Sequence, residues 1–210
     1  LCSISLFLQL FNSLELHAHD AVIDLRSSKP LEKQVSLNGP WQFYWQQLLG
    51  PDALPAEGGM LVDFPKKWTE TIIDGESLPA TGYATYEVLV LLPKGLSGLG
   101  LEMPDVYTSY RLFVNGVLLQ ANGKPGTSFE STKPFWLGRV LPLPVGADSL
   151  HVVLQVANFH HSKGGPYKEI FIGDYEKLNN DRKRDSALDL VMSGALLMGG
   201  LFFFGLYLFG

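Results

Sequence analysis

The sequence predicts a mainly β protein, an antiparallel β-sandwich of jelly-roll type followed by one transmembrane α-helix. Three observations carry this expectation. Short apolar runs are separated by turn-forming segments rich in the chain's 22 glycines and 13 prolines, the pattern of an all-β fold. Asn115-Gly116 lies between two apolar runs, and Asn-Gly is the strongest short hairpin signal because both turn residues must take positive φ. From Leu190 to Gly210 no residue is charged, and about 21 such positions suffice to cross a bilayer as a helix.

The hairpin fixes its own register. A two-residue turn sets Val114 opposite Val117 and Leu112 opposite Leu119. Tyr110, Leu112, Val114, Val117 and Leu119 then share one apolar face, and Arg111, Phe113, Leu118 and Gln120 share the other. A one-residue slip would expose the first face, so it is expected to be a core face.

Composition narrows the class. The 210 residues are 46% hydrophobic and 18% charged, with a formal net charge of -5. That length suits one medium domain plus an additional segment. The mildly acidic balance gives no basic face for nucleic acid, so no nucleic-acid partner is expected. Cys2 is the sole cysteine and falls in a segment expected to be removed. The mature domain would then hold no disulfide and no Cys-based metal site or nucleophile.

Residues 1–18 carry an apolar run from Ile4 to Phe11 and end in Leu16-His17-Ala18. They resemble the second half of a secretory signal cleaved near Ala18, the alternative being a buried N-terminal helix. Residues 20–178 are expected to form the sandwich. Trp41, Phe43 and Trp45 alternate on one strand face, as a core plug or as an aromatic platform for a ligand. Gln46–Gly82 is a long irregular span, and Tyr83–Leu92 resumes the strand pattern with Tyr86, Val88, Val90 and Leu92 on one face. Leu99–Met103 is a short strand. Phe135–Leu143 suits an edge, because Pro142 cannot donate to a ladder. Leu150, Val152, Leu154 and Val156 face inward on a further strand, with His151, Val153, Gln155 and Ala157 outward. Glu169–Ile172 is expected to close the sheet, for about eight strands in all at the spacing of sandwiches and jelly rolls.

After Lys177 the composition changes. Residues 179–187 form a charged juxtamembrane connector, and 188–210 a first transmembrane helix at the front of a longer membrane protein. The cluster Arg182-Lys183-Arg184 sits on the side expected to lie outside the cytoplasm, against the usual bias of positive charge. A cleaved signal overrides that bias for a large exported domain.

Some residues are placed to meet a ligand. Trp68, Tyr83, Tyr107, Trp136, Asn158, His160 and His161 offer aromatic faces and polar groups outside the expected core, the combination a sugar or small molecule needs. Packing of loops onto the sandwich is the competing role for Trp68 and Trp136, and binding of loop backbone is the competing role for Asn158. His160-His161 lacks a third ligand for a metal. Lys163-Gly164-Gly165 lacks the flanks of a phosphate loop. Asp63, Glu70, Asp74, Glu76, Glu87 and Glu102 are scattered without the pairing that glycoside hydrolysis requires. No catalytic residue, metal or cofactor is expected, and the chain is not expected to be an enzyme.

The ordered set Leu37-Asn38-Gly39-Pro40-Trp41-Gln42-Phe43, Gly82-Tyr83-Ala84-Thr85-Tyr86, Leu112-Phe113-Val114-Asn115-Gly116 and Val152–Asn158 resembles galactose-binding-like jelly rolls. The sugar-binding domain of family 2 glycoside hydrolases is one of these. Phe64-Pro65-Lys66-Lys67-Trp68, and an apolar helix straight after the sandwich, are more similar to bacterial seven-transmembrane receptors with diverse intracellular signalling modules. That resemblance covers about residues 20–210. It implies an extracytoplasmic sensor domain, in the periplasm or outside the cell, on a protein of the inner membrane. The partners implied are a small-molecule or carbohydrate ligand, the lipid bilayer, and downstream helices with a histidine kinase or nucleotide cyclase module in the same chain. A membrane-anchored carbohydrate-binding module of a glycan-active enzyme or adhesin is the alternative.

Overall fold

A computed structural model describes residues 21–29, 33–73 and 75–209. The expected signal segment 1–18 and Asp74 lie outside these residues. The strands in chain order are β1 (Val22–Asp24), β2 (Val35–Ser36), β3 (Gly39–Trp45), β4 (Met60–Phe64), β5 (Ile72–Ile73), β6 (Glu76–Ser77) and β7 (Gly82–Leu91). They continue with β8 (Leu99–Met103), β9 (Ser109–Val114), β10 (Val117–Asn122), β11 (Arg139–Pro142), β12 (Ser149–Asn158) and β13 (Phe171–Asp174), and one helix, α1 (Tyr175–Phe209), follows.

Two sheets face each other. The larger has the order β10-β9-β12-β7-β3-β4, with β1 pairing in parallel with the far end of β7, and the smaller has the order β11-β8-β13-β2. All other pairings are antiparallel. The core lies between them. Trp41, Phe43, Tyr86, Val88, Tyr110, Leu112, Leu150, Val152, Leu154 and Val156 from one sheet meet Leu101, Met103 and Ile172 from the other, all essentially inaccessible. Each such side chain contributes about 1.5–3 kcal/mol by leaving water. Trp41 stacks on Phe64 at 4.1 Å and donates its Nε1–H to the Leu37 carbonyl at 2.9 Å. The alternation of Trp41 and Phe43 is thus core packing, while Trp45 is half-buried at the rim.

The hairpin forms with Asn115 and Gly116 at φ 49° and 81° and Val114 opposite Val117. Beyond Leu118 the register differs from the expected one. A bulge at Leu119 sets Leu112 opposite Gln120, and Val117 is exposed. β10 is an edge strand, and burial there depends on a facing layer rather than on alternation. The span 46–82 is less irregular than expected. It contributes β4 to the edge of the large sheet and the small β5–β6 ribbon.

Residues 46–59 form a strap across the outer face of the large sheet. The Thr85 hydroxyl donates to the Gln47 carbonyl at 2.8 Å and accepts from Leu49 N–H at 2.9 Å, and Gln155 Nε2 donates to the Leu49 carbonyl at 2.9 Å. Gln155, expected to face out, therefore does so and is still buried.

α1 begins directly after β13. It runs unbroken through 179–187, so the charged connector is helical and no separate linker precedes the apolar stretch. Leu178 is buried against the sandwich. The helix has 35 residues, about 50 Å, and is long and apolar enough to cross a membrane, with none of its most apolar stretch buried.

Candidate functional site

Strand order gathers most of the expected site residues. With β9, β12 and β7 adjacent and antiparallel, the start of β9, the end of β12 and the start of β7 fall on one rim of the large sheet. That rim carries Tyr107, Asn158 with His160 and His161, and Tyr83.

Asn158 organises the loop after β12. It is wholly buried. Its Nδ2 lies 2.8 Å from the carbonyls of Ala80 and His161 and 2.9 Å from that of Lys163, and its Oδ1 accepts from the N–H groups of His160 at 3.3 Å and His161 at 3.0 Å. A buried amide with both ends engaged holds a loop that has no ladder of its own. Its role here is to shape the site, and no face of it is open to a ligand.

The histidines are positioned differently. His161 Nδ1 accepts from Lys163 N–H at 3.0 Å. Nδ1 also lies 3.3 Å from the Lys163 carbonyl, and the shorter bond from the N–H favours a neutral ring with its proton on Nε2. The His161 ring stacks on Tyr107, and Tyr107 stacks in turn on Tyr167 with centroids 4.3 Å apart and planes 15° apart. Both faces of Tyr107 are therefore covered. His160 Nε2 lies 3.1 Å from the Thr132 carbonyl, and its ring meets Phe129 at 4.2 Å. Phe129 is exposed.

At the far end of the ring stack stands a charged pair. Tyr167 donates its hydroxyl to Asp105 Oδ2 at 2.5 Å, and Lys168 Nζ lies 2.6 Å from Asp105 Oδ1 and 5.1 Å from the centre of the Tyr167 ring. Partial burial pushes the Asp105 carboxyl up, but the bonds from Lys168 and Tyr167 together hold it below the usual carboxylate range. Burial and the Asp105 carboxylate raise the Tyr167 phenol, and the bond to Asp105 raises Lys168. The rim thus presents aromatic surface, imidazole N–H, a carboxylate and an ammonium side by side.

Two expected residues stand apart. Trp68 is wholly inaccessible, donating its Nε1–H to the Ala80 carbonyl at 3.2 Å and meeting Trp45 edge-on at 5.2 Å. It plugs the rim from below and offers no open face for stacking. Gly164 makes this possible, since a Cβ there would overlap the indole and the Ala80 carbonyl. Trp136 is half-exposed, and among the described residues no ring contact or hydrogen bond joins it to the histidine cluster. Tyr83 is half-buried, with its ring 6.5 Å from that of Phe159. Phe129, Asp105, Tyr167 and Lys168 were not singled out from the sequence. The last three lie on segments flanking β8 and β13, and the pairing of those strands, with the Tyr107–Gly165 backbone bridge beyond it, brings them together.

A second polar cluster lies on the outer face of the large sheet. Buried Glu87 accepts from the Tyr44 hydroxyl at 3.0 Å and lies 2.7 Å from His151 Nε2. Burial, then the Glu87 charge and its hydrogen bond, push Tyr44 up to about 12, so the phenol remains a donor at neutral pH. The strap closes over this cluster, and Gly59 packs against the Tyr44 ring. The arrangement pins the strap to the sheet. Among the described residues no group of three or more His, Cys, Asp or Glu could hold a metal ion.

No protein-family model matches the chain, and no curated protein matches it. Solved structures do. A β-glucuronidase from Ruminococcus gnavus matches with a TM-score of 0.51 at 14% identity, over 67% of this chain and 28% of that one. A second structure of the R. gnavus β-glucuronidase matches with a TM-score of 0.51 at 15% identity, over 66% of this chain and 27% of that one. A third, in complex with uronic isofagomine, gives 0.50 at 13% identity, over 66% and 28%. At these identities the likeness is one of fold: the sandwich is similar to part of those chains, and this chain spans little more than a quarter of their length.

Proposed function

We propose that the chain is the ligand-binding part of a membrane-anchored sensor. The sandwich takes a carbohydrate or similar polar small molecule at the rim around His161, Phe129 and Lys168, with Tyr107 holding the ring stack between His161 and Tyr167, and α1 lies in the bilayer. One observation carries the sensor reading. Tyr167 and Lys168 belong to the rim, β13 follows three residues later, and β13 passes into α1 without a linker. Tyr175 N–H donates to the Gly98 carbonyl at 2.9 Å and Leu178 is buried, so a displacement of β13 moves the helix with it. A ligand that prefers one of two such arrangements shifts their populations.

The sugar class is supported by chemistry at the rim and by the fold shared with part of the glucuronidase chains. Sugars present apolar faces for aromatic rings and hydroxyls for charged partners. An extracytoplasmic placement at the inner membrane, with further helices and a kinase or cyclase module beyond residue 210, belongs to the same reading. The likeness to glucuronidase chains also favours a second reading, a membrane-anchored binding module of a glycan-active protein.

The test is a thermal-shift screen of the detergent-solubilised chain against neutral sugars, uronic acids, β-glucuronides and small metabolites. The expected result is stabilisation by at least one sugar, lost in H161A. Failure of every sugar to stabilise the chain would overturn the carbohydrate reading. Ligand-dependent change in spin-label distances between the rim and α1 separates the two readings, since a passive module shows none.

A further inference from the structure

The first turns of α1 build a recess with the small sheet. Asn179, Arg182, Lys183 and Ser186 recur at helical spacing on one stripe. With Arg139 and Val140 of β11 they line a cavity of about 330 Å³. Five of these six side chains can donate hydrogen bonds, and three are cationic. Among the described residues neither Arg139 nor Lys183 forms an ion pair. Arg182 lies 3.8 Å from Glu102, and the neighbouring carboxylates Asp181 and Asp185 lie 3.4 and 3.6 Å from Arg184. With Arg184 counted, four cations face the three carboxylates Glu102, Asp181 and Asp185, which leaves the recess positive by one charge.

Its height along the helix is informative. Ser186 stands about 6 Å before Leu190, and Arg182 about 12 Å before it, at 1.5 Å per residue. The headgroup layer on each side of a bilayer is about 5–8 Å deep. Ser186 therefore falls within that layer, and Lys183 and Arg182 start about 3–7 Å outside it, a gap that their long side chains span. Phe135 and Trp136, four and three residues before Arg139, are 52% and 50% exposed, and Phe135 N–H donates to the Thr108 carbonyl at 3.0 Å. The next residues tie this segment to the helix: a Cβ at Gly138 would sit 3.0 and 3.1 Å from the two terminal nitrogens of Arg182. An exposed tryptophan close in sequence to a cationic recess is the composition of a membrane-interface anchor.

We propose that this recess binds the phosphodiester headgroup of an anionic lipid, with Phe135 and Trp136 seated in the interface beside it. The sandwich is thereby held against the bilayer surface at a fixed tilt to α1. The proposal rests on the membrane insertion of α1 in the reading above. It gives Arg182 and Lys183 a lipid partner on whichever side of the membrane the sandwich lies.

The full chain is reconstituted in vesicles of phosphatidylcholine and phosphatidylglycerol, with brominated acyl chains on one lipid at a time. Trp41 and Trp68 are buried, Trp45 is half-buried and α1 has no tryptophan, so the difference between parent and W136F isolates the quenching of Trp136. The expected result is stronger quenching of Trp136 by brominated phosphatidylglycerol than by brominated phosphatidylcholine at equal fraction. R139Q/K183Q leaves Arg182 beside Glu102 and should remove most of this preference, about fivefold for each charge lost at an anionic surface. Equal quenching by the two lipids, or a preference that survives R139Q/K183Q in a variant with unchanged melting temperature, overturns the proposal. Inorganic phosphate added at constant ionic strength separates the sources: abolition of the preference marks a site for free phosphate and overturns the headgroup assignment. Alkaline carbonate tells the two failures apart. A chain that is extracted from the vesicles refutes insertion itself, whereas a chain that stays and shows equal quenching refutes only the lipid site.

Discussion

The His161 ring lies parallel to the Tyr107 ring, with centroids 4.4 Å apart and planes 7° apart. The two residues are far apart in the chain, and the contact exists because β9 and β12 are neighbours. Tyr107 is the middle ring of three, so removing it separates the other two. Y107A is expected to abolish ligand stabilisation while costing about 1 kcal/mol of stacking beyond lost buried area. Thermal melts with and without a stabilising sugar measure both effects at once.

Asp105 gives the rim a defined acid response. Its folded-state carboxyl titrates below its unfolded value, with Lys168 and Tyr167 outweighing the effect of burial. A depressed carboxyl contributes stability that is complete above its unfolded pKa, about 4, and is lost as pH falls through the folded value. D105N is expected to destabilise the sandwich by about 1–2 kcal/mol at pH 7, the worth of charged hydrogen bonds. The difference from the parent should shrink below about pH 4. Urea unfolding at several pH values checks the window.

Glu102 titrates in the opposite sense. Burial first, and then Asp185 and Asp181, raise its carboxyl despite the opposing Arg182. A raised carboxyl contributes stability that is present below its unfolded pKa and lost as pH rises through the folded one. E102Q is therefore expected to raise the melting temperature at pH 7 and to leave it nearly unchanged at about pH 4. A melting temperature lowered at pH 7 would contradict this.

Asn158 is expected to be the costliest polar residue to replace at the rim. N158A strands three carbonyls and two N–H groups around a buried gap. The expected loss is about 3 kcal/mol or more. N158D keeps the acceptor but turns an anion toward those carbonyls, and should be no better. Chemical denaturation of the two variants against the parent measures this.

Gly164 is sterically required. G164A drives a methyl group into Trp68 and the Ala80 carbonyl, and overpacking of this kind costs about 1–3 kcal/mol or more. W68F, which trims the indole, should recover part of the loss in the double variant, as a double-mutant cycle would show.

Much of the architecture follows from local pattern. Asn115-Gly116 dictated its turn, and alternation at Leu150–Val156 and Tyr86–Val90 dictated which side chains point inward, because successive residues on a strand face opposite ways. The uncharged run after Asp189 dictated a helix that the sandwich does not bury. Pro142 marked an edge strand, and β11 is at the edge of the small sheet.

Tertiary structure decided what those side chains meet. Val117 follows the hairpin pattern yet is exposed, because an edge strand is buried only where another layer faces it. Gln155 points outward yet is buried, because the strap 46–59 folds back over it. Trp68 has the composition of a sugar platform and became a plug, because Gly164 lets the loop after β12 close over it. Tyr107, His161, Tyr167 and Asp105 come from segments with no shared pattern. Their grouping depends on strand order, and strand order is set by burying both sheets against one core rather than by any single segment.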